Sequence, residues 1–323
     1  MDVLDKIKAP IAAEMEQFNE AFRQMLYSDN PLLEKVAEHL LKSTGKQVRP
    51  MLVLLSARMA GEVNPKVISV ALAIELLHTA SLLHDDVVDE SDRRRGMPSV
   101  NALFSNQVAV LSGDYILSKA LECTAQTGDL RVLHHISKLG QTLSEGELRQ
   151  LDSKESDTLS EGAYFDVISR KTASLFSTCA RLGALAAGGT EADAERMAQY
   201  GKLIGICFQL RDDLFDYGTA EVGKPVGNDM REGKLTLPAI YAVNYKGDAS
   251  MHDLALKVRR REASSEEIDR LIDFAVSEGG LDYARWHMKD MQAMANGLID
   301  DTRNAAVTQA LHQLTAFVAE RTL

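Results

Sequence analysis

An all-α, single-domain protein is what this sequence predicts, and three observations carry the prediction. Apolar residues recur at three- and four-residue steps along most of the chain, the spacing that gathers one face of a helix. Proline is scarce (7 of 323 residues) and aromatics make up only 6%, while Ala, Leu, Glu and Met recur, a composition that favours helix over strand. No Pro/Gly/Ser-rich linker divides the chain, so residues 1–323 are expected to form one domain. With 45% hydrophobic and 26% charged residues, the chain can bury a large core. Its formal net charge of -11 argues against nucleic-acid binding, which needs a basic face, so any positive site must be local.

Taken in order, Leu4, Ile7, Ile11, Met15, Phe18, Phe22 and Met25 mark an amphipathic helix from Asp2 to about Leu26. Ser28 to Pro31 reads as a turn with a proline-led helix start, and the helix it opens gives out near Ser43. STGKQVRP follows. Gly45 relaxes the backbone there, and Lys46 and Arg49 bracket an apolar residue just before the next helix. A helix N-terminus with two cations suits an anion; a basic surface turn is the competing reading. Met51 to Ala60 reads as a short buried helix closed by a GEVNP turn. A long helix then runs from about Pro65 to Asp89, with His78 seven residues before Asp85 and so on roughly the same face. There His78 is either a satisfied core group or a ligand. The apolar part, Val67 to Leu83, contains Glu75 and His78 and reads as too short and too punctuated for a membrane span.

Asn101 to about Gln126 is read as one helix holding Gly113-Asp114-Tyr115, and Arg131 to Leu151 as another with a polar patch of Glu145, Glu147 and Gln150. Asp152 to Ser160 is a solvated connection. Glu161 to Ala187 reads as a single helix; within it Lys171 and Thr172 put a cation and a hydroxyl among core positions, unless the lysine only snorkels. After the break at Gly188, a helix from Glu191 to Tyr217 ends in GICFQLRDDLFDYG. Residues 218–235 follow as a glycine-rich charged loop. Gly218, Gly223, Gly227 and Gly233 permit movement and Lys224 and Lys234 can close over anions, so a mobile lid is expected in preference to a floppy surface loop. Four or five further helices are expected from Thr236 to Leu323. Cys123, Cys179 and Cys207 lack CxxC spacing and are expected to be buried reduced thiols. The N-terminus has neither a signal peptide's apolar stretch nor a transit peptide's lack of acids, which leads to the expectation of a cytoplasmic protein.

The chemistry concentrates in HTASLLHDDVVDESDRRRG, His78 to Gly96. Asp85 and Asp89 lie one above the other on a helix, and stacked carboxylates repel unless a cation lies between them. Arg93, Arg94 and Arg95 follow, a grip for phosphate oxygens. A lone DDxxD could be a solvated helix end. A second copy, Asp212, Asp213 and Asp216, again closes an apolar helix, at the end where the helix dipole favours cations. Two such placements suggest metal ions held between the two helices. Mg²⁺ prefers oxygen ligands and typically shares one or two carboxylates with a substrate's phosphates. The nearby cations can spread charge that develops as a C–O bond breaks. GxxxxGK[ST], a kinase motif set, HExxH and GxSxG are all missing, so nucleotide hydrolysis and triad chemistry lack support.

These segments together resemble the trans-polyprenyl diphosphate synthases over nearly the whole chain. GKQVRP is similar to that family's GKRxRP, with Gln47 in place of the usual arginine. LLHDDVVDESDRRRG resembles its first aspartate-rich motif, and KTASLF, FQLRDDLFDY and GKPVGNDMREGKLTLP resemble the later ones in order. The resemblance implies an isoprenoid synthase fold, a helical bundle around a central active-site cavity, assembled as a homodimer. It implies that Asp85, Asp86, Asp89, Asp212, Asp213 and Asp216 bind Mg²⁺, three ions when substrate is bound. Arg94, Lys171, Thr172, Gln209, Lys224 and Lys234 would hold an allylic prenyl diphosphate; Lys46, Arg49, His78 and Arg95 would hold isopentenyl diphosphate. The six aspartates and Lys171 form the implied catalytic set. Pyrophosphate leaves the allylic substrate, the isopentenyl double bond attacks the carbocation head-to-tail, and a proton is lost to the departing pyrophosphate.

Short-product members of that family place bulky aromatics four or five residues before the first aspartate, where this chain has Ser81 and Ala80. Small residues leave the channel open at its first turn. The pattern most resembles the octaprenyl subgroup, which extends a farnesyl or geranylgeranyl primer for quinone side chains; so apolar a product implies transient membrane contact at release. Four alternatives stand beside this reading. A short-chain (farnesyl/geranylgeranyl) synthase would share every motif. A class I terpene cyclase generally carries an NDxxSxxxE-type second motif. A metal phosphohydrolase would use His84-Asp85 as an HD pair, and a regulatory subunit would be expected to have lost aspartates that this chain keeps.

Overall fold

The computed structural model describes residues 2–42, 45–152, 159–218 and 227–320, and these are helical almost throughout. Two compact units can be distinguished: Met1–Gly140, Thr178–Ala198 and Asp300–Leu311 make one, and Gln141–Ser177, Gln199–Ile299 and His312–Leu323 the other.

The first unit begins with α1 (Val3–Lys8), a 3₁₀ turn (Ala9–Ile11) and α2 (Ala12–Leu26) where one continuous helix was expected. Pro10 explains the break, because it lacks the N–H that an uninterrupted helix would use. The apolar rhythm nevertheless survives the break, with Ile7, Ile11, Met15, Phe18 and Phe22 all buried. α3 (Pro31–Leu41) starts at the expected proline, and the Asn30 side chain caps it by accepting from Leu32 N–H at 2.9 Å. α4 (Val48–Ala60) follows, with Gln47 in a left-handed conformation at its start.

α5 (Pro65–Val88) is the axis of this unit. Asn64 caps it, accepting from Lys66 N–H at 2.9 Å, while its amide donates to Ala186 O at 2.9 Å. At 24 residues α5 is long and apolar enough to cross a bilayer, which corrects the reading of its apolar segment as too short. Most of its apolar window is nonetheless buried in the protein, with Ile74 and Leu76 fully enclosed, so packing in the protein core explains the composition. Each such side chain contributes about 1.5–3 kcal/mol by leaving water. After α5 comes an unforeseen hairpin of β1 (Arg93–Arg94) and β2 (Met97–Pro98), then α6 (Val100–Leu103) and α7 (Asn106–Gln126). The expected single helix from Asn101 therefore starts again at Ser105, whose hydroxyl caps α7 by accepting from Val108 N–H at 3.2 Å. α7 packs tightly on α5: a Cβ on Gly113 would lie 2.3 Å from the His84 ring.

Helices α8 (Leu130–Asp152), α9 (Glu161–Ile168), α10 (Ser174–Ala186) and α11 (Glu191–Phe215) follow. Between α9 and α10, Ser169–Ala173 forms a π-helical turn, so the helix expected from Glu161 to Ala187 is in three parts. The wider turn is visible in Ser174 N–H, which donates to Ser169 O five residues back. The second unit's core joins Tyr164, Ile168, Ile206, Leu210, Leu237, Ile240 and Met288 in one cluster. A second cluster gathers Met230, Val243, Val258, Leu271 and Ile272. α12 (Asn228–Arg231) is a short piece, and α13 (Leu237–Lys246), α14 (Ala249–Arg259), α15 (Ser265–Ser277), α16 (Gly280–Gly297) and α17 (Ala305–Glu320) are the five helices beyond Thr236 among the described residues. All three cysteines are buried and free, as expected.

Candidate active site

In the first unit, the site candidates gather around the C-terminal end of α5. The hairpin after it turns through Arg95 and Gly96, with φ of 51° and 78°, while Arg94 pairs with Met97. Two central residues with positive φ match the twist of a tight hairpin, and glycine at the second suits that conformation. The turn sends two neighbouring arginines to different tasks. Arg94 clamps Asp86, its Nε and Nη2 donating to Oδ1 at 2.9 and 2.5 Å. Arg95 lies against the GKQVRP turn: a Cβ on Gly45 would come within 2.9 Å of its guanidinium carbon. Asp86 is buried, Asp85 half-buried and Asp89 exposed at the helix end, so the three aspartates do not share one environment.

Beneath the arginines, α5 contributes Glu75 and His78, which are 7% and 8% exposed. Burial raises the Glu75 carboxyl above its usual range, against the pull of Arg49 and Arg95. Burial also drives His78 well below its ordinary range, and Arg49, Arg95 and Arg94 add to the effect. His78 is therefore a neutral imidazole at pH 7, able to offer one N–H. Glu75 lines a small cavity of about 50 Å³ with Asp86, Arg94, Arg95 and Gln47. Gln47, where the resembling family has arginine, donates instead to Asn19 Oδ1 at 2.7 Å. Lys46 is exposed and Arg49 half-buried. Ala80 is 1% exposed, and the Ser81 hydroxyl donates to His78 O at 2.9 Å. His84 turns towards α7, with Nε2 3.2 Å from Val110 O and 3.4 Å from Asp114, which leaves a His84–Asp85 metal pair unsupported.

In the second unit, the π turn carries Lys171 and Thr172. Gly146 on α8 makes room for it, since a Cβ there would lie 3.2 Å from Lys171 N. Lys171 pairs with Glu147 at 2.7 Å, so it does not merely snorkel. Thr172 donates to Gln209 Oε1 at 2.7 Å, and Gln209 Nε2 donates to Asp213 Oδ1 at 2.8 Å. Tyr164, which the sequence reading passed over, donates to Asp213 Oδ2 at 2.5 Å. Seven residues before Lys171, about two helical turns, was the signal that could have found it. Asp216 accepts from the backbone N–H of Asn228 at 2.7 Å and of Asp229 at 3.0 Å, which ties the described end of the 218–235 loop to the motif. Lys234 pairs with Glu232 at 2.6 Å. Lys224 and residues 219–226 lie outside the described residues.

Lys171, Thr172, Gln209, Asp213 and Lys234 all line one cavity of about 230 Å³, together with Tyr164 and Asp229. Burial, with Asp229 close by, raises the Asp213 carboxyl, while hydrogen bonds from Tyr164 and Gln209 pull it down. Burial likewise raises Asp216, opposed by the two backbone N–H groups. Tyr164 is pushed well above the usual phenol range by burial and by Asp213, so it remains a donor.

Among the described residues, no group of three His, Cys, Asp or Glu side chains is arranged to hold a metal by itself. The donors in both motifs are carboxylates, the hard oxygen ligands that suit Mg²⁺. Magnesium ordinarily takes one or two carboxylates, keeps waters and completes its shell from substrate phosphates. The residues therefore fit an ion that arrives with a diphosphate better than one locked in a protein cage.

Comparison with known proteins agrees with this chemistry. A family model described as polyprenyl synthetase matches residues 30–275. An octaprenyl diphosphate synthase of Haemophilus influenzae is 36% identical over 320 residues, covering 98% of this chain and 97% of that one. Among solved structures, geranylgeranyl pyrophosphate synthase from Bacteroides thetaiotaomicron superposes with a TM-score of 0.87 at 41% identity, over 99% of this chain and all of that one (100%). Polyprenyl synthase from Caulobacter crescentus, complexed with calcium and isoprenyl diphosphate, gives 0.91 at 32% identity over 99% and 98% of the two chains. The fold is thus the all-α isoprenoid synthase fold. Because the family match spans both the GKQVRP turn and the second aspartate motif, the chain belongs to the polyprenyl synthetase family and is a trans-prenyltransferase.

Proposed function

We propose that this enzyme condenses an allylic prenyl diphosphate, farnesyl or geranylgeranyl, head-to-tail with successive isopentenyl diphosphates to give a long all-trans product, octaprenyl diphosphate, for quinone side chains. One observation carries the reading: Lys171, Thr172, Gln209 and Lys234 line a single cavity with Asp213, cations and amide donors beside a carboxylate. Such a set grips a diphosphate that brings its own divalent cation. The Caulobacter polyprenyl synthase, complexed with calcium and isoprenyl diphosphate, supports the same pairing of ligand and metal.

In this mechanism Asp85, Asp86, Asp89, Asp212, Asp213 and Asp216 would hold Mg²⁺, three ions with substrate bound, and the metal would supply positive charge that offsets the charge on the leaving diphosphate. Lys171, Arg94 and Lys234, with Lys224, bind and orient the allylic diphosphate; Thr172 and Gln209 supply hydrogen bonds. Arg49, Arg95 and Lys46 bind isopentenyl diphosphate, and neutral His78 adds one directed N–H without adding charge. As the C–O bond breaks, the cations on the allylic diphosphate, Lys171, Arg94, Lys234 and Lys224, stabilise the departing pyrophosphate, which then accepts the proton released after the new C–C bond forms. No protein nucleophile takes part. The enzyme works in the cytoplasm as a homodimer and hands its apolar product to a membrane by transient contact.

A second reading, a short-chain synthase, draws on the close packing of Ala80 (1% exposed) and on 41% identity to a geranylgeranyl pyrophosphate synthase. Purified protein with Mg²⁺, farnesyl diphosphate and labelled isopentenyl diphosphate, its products resolved by chromatography, separates the two. A dominant forty-carbon product is expected. A labelled product that stops at twenty carbons, or at fifteen when geranyl diphosphate is the primer in a parallel reaction, selects the short-chain reading, and no incorporation of isopentenyl diphosphate with either primer overturns both.

A further inference from the structure

Thr172, Gln209, Asp213 and Tyr164 form a continuous chain of hydrogen bonds of 2.7, 2.8 and 2.5 Å along one wall of the cavity. The proposed reaction uses the first three and gives Tyr164 no task. Yet Tyr164 is a phenol 8% exposed on α9, brought from 49 residues away to a carboxylate that is itself 4% exposed. Each oxygen of Asp213 is engaged by one neutral donor, Oδ2 by Tyr164 and Oδ1 by Gln209.

That engagement dictates how the Gln209 amide points. A side-chain amide has one accepting oxygen and one nitrogen with two N–H groups. With the nitrogen held on Asp213 Oδ1, its oxygen must face Thr172, which donates to it at 2.7 Å. One N–H of Gln209 is thereby left over on the nitrogen, in the cavity that Lys171 and Lys234 line. If Asp213 rotated about its side chain, the amide would lose the partner that holds its nitrogen, and its accepting oxygen could turn to a diphosphate instead. The phenol of Tyr164 opposes that rotation by holding the second carboxyl oxygen.

We propose that Tyr164 is a positioning residue for the allylic diphosphate: it fixes Asp213, and through Asp213 the donor face of Gln209. The inference rests on the reading of this cavity as the diphosphate site. It differs from a packing role, because the ring of Tyr164 can be kept while its hydroxyl is removed. It also differs from direct catalysis, because Tyr164 acts only through its neighbours.

Tyr164→Phe tests it. The expected result is a roughly tenfold weaker affinity for inorganic pyrophosphate in Mg²⁺, measured by calorimetry, and a similar rise in KM for the allylic substrate. KM for isopentenyl diphosphate should stay within twofold. In a double-mutant cycle, Tyr164→Phe should have almost no further effect once Gln209 is already alanine, since its action passes through that amide. Independent, additive losses in the cycle would overturn the proposal, as would unchanged pyrophosphate affinity in folded Tyr164→Phe. Lys171→Ala is the control on the underlying reading. If it leaves pyrophosphate affinity unchanged, the cavity is not the diphosphate site and Tyr164 falls with it; if it weakens binding while Tyr164→Phe does not, only the positioning role falls. Should Tyr164→Phe fail to fold, Tyr164→Leu carries the same cycle, because it too removes the hydroxyl that holds Asp213 Oδ2 while leaving apolar bulk at the position. A Tyr164→Leu loss that ignores Gln209→Ala overturns the proposal as well.

Discussion

The ends of α5 and α11 carry the same DDxxD spacing and hold it in opposite ways. On α5, the middle aspartate, Asp86, is clamped by the Arg94 guanidinium at 2.5 Å, a charged partner delivered by a hairpin eight residues on. On α11, the corresponding Asp213 meets no such cation among the described residues: its hydrogen bonds there come from a phenol and an amide. The closing aspartates differ too. Asp89 is exposed, whereas Asp216 accepts the backbone N–H groups of Asn228 and Asp229, within the 218–235 loop. Sequence spacing sets which face of a helix a carboxylate occupies. What surrounds that face determines the cost of keeping it ionised, and there the motifs part company. Asp213 and Asp216 are both raised by burial, so the α11 motif is the one that gains most from an arriving cation.

The largest expected effect treats the motifs as equals. Asp85→Ala and Asp212→Ala should each lower condensation by at least about a thousandfold, roughly 4 kcal/mol of transition-state stabilisation. Circular dichroism should show both variants folded. Near-normal turnover in either, with Mg²⁺ present, would remove that motif from the metal site. Neutralising the middle aspartates should then drive the two motifs apart in stability. Asp86→Asn takes the carboxylate from a guanidinium and should cost about 2 kcal/mol, as for hydrogen bonds to charged groups. Asp213→Asn relieves a buried carboxylate held only by neutral donors, and should leave metal-free stability unchanged or raise it by up to about 1 kcal/mol. Thermal melts in chelator at pH 8 compare them directly. Equal destabilisation of both would break the contrast drawn from their partners.

Much of this was legible in the sequence, and the misses have specific causes. Helix positions followed from apolar spacing, because a periodic burial pattern is local information. The turn at Pro10 and the restart at Ser105 were missed although both residues announce themselves, since the apolar rhythm runs on across them. The Arg93–Pro98 hairpin was invisible because charge, not alternating hydrophobicity, fills it. Every candidate residue at the two motifs came from spacing and resemblance. Their partners did not: Tyr164 reaches Asp213 across 49 residues, and nothing periodic connects them. The π turn under Lys171 was equally hidden, as its residues are ordinary helix formers; the space that Gly146 leaves for it lies on another helix.

The same offset above each motif offers a further contrast. Five residues before the first aspartate, α5 has Ala80 and α11 has Cys207; both are 1% exposed. One position on, α5 has Ser81, while α11 has Phe208, which packs against Phe176 with ring centroids 5.2 Å apart. Bulk is thus already present above the second motif and missing above the first. If the growing chain passes α5, Ala80→Phe should shorten the product by at least one isoprene unit with little change in the first condensation. Products of unaltered length from a folded Ala80→Phe enzyme would take Ala80 out of the tunnel wall.

The smallest effect concerns pH on the α5 side, where arginines crowd a buried imidazole. His78 has a folded pKa depressed well below its ordinary value, first by burial and then by Arg49, Arg95 and Arg94. The unfolded chain therefore binds a proton near pH 6.5 that the folded protein refuses, and the sign follows from linkage. His78's contribution to stability is complete above about pH 6.5 and is lost progressively as pH falls towards its folded pKa, at no more than about 1.4 kcal/mol per pH unit. Glu75, raised by burial, acts in the other direction, its contribution fading as pH rises through its folded pKa. Total stability mixes the two, so the informative quantity is the difference between the wild type and His78→Gln. That variant keeps an N–H donor at the site and removes the titration. Its melts between pH 7.5 and 5.5 should fall less steeply than those of the wild type, and the curves should run parallel above pH 7. Parallel curves over the whole range would mean that His78 titrates in the folded protein as it does in water, and that the arginines at the end of α5 are too far or too well screened to hold it neutral.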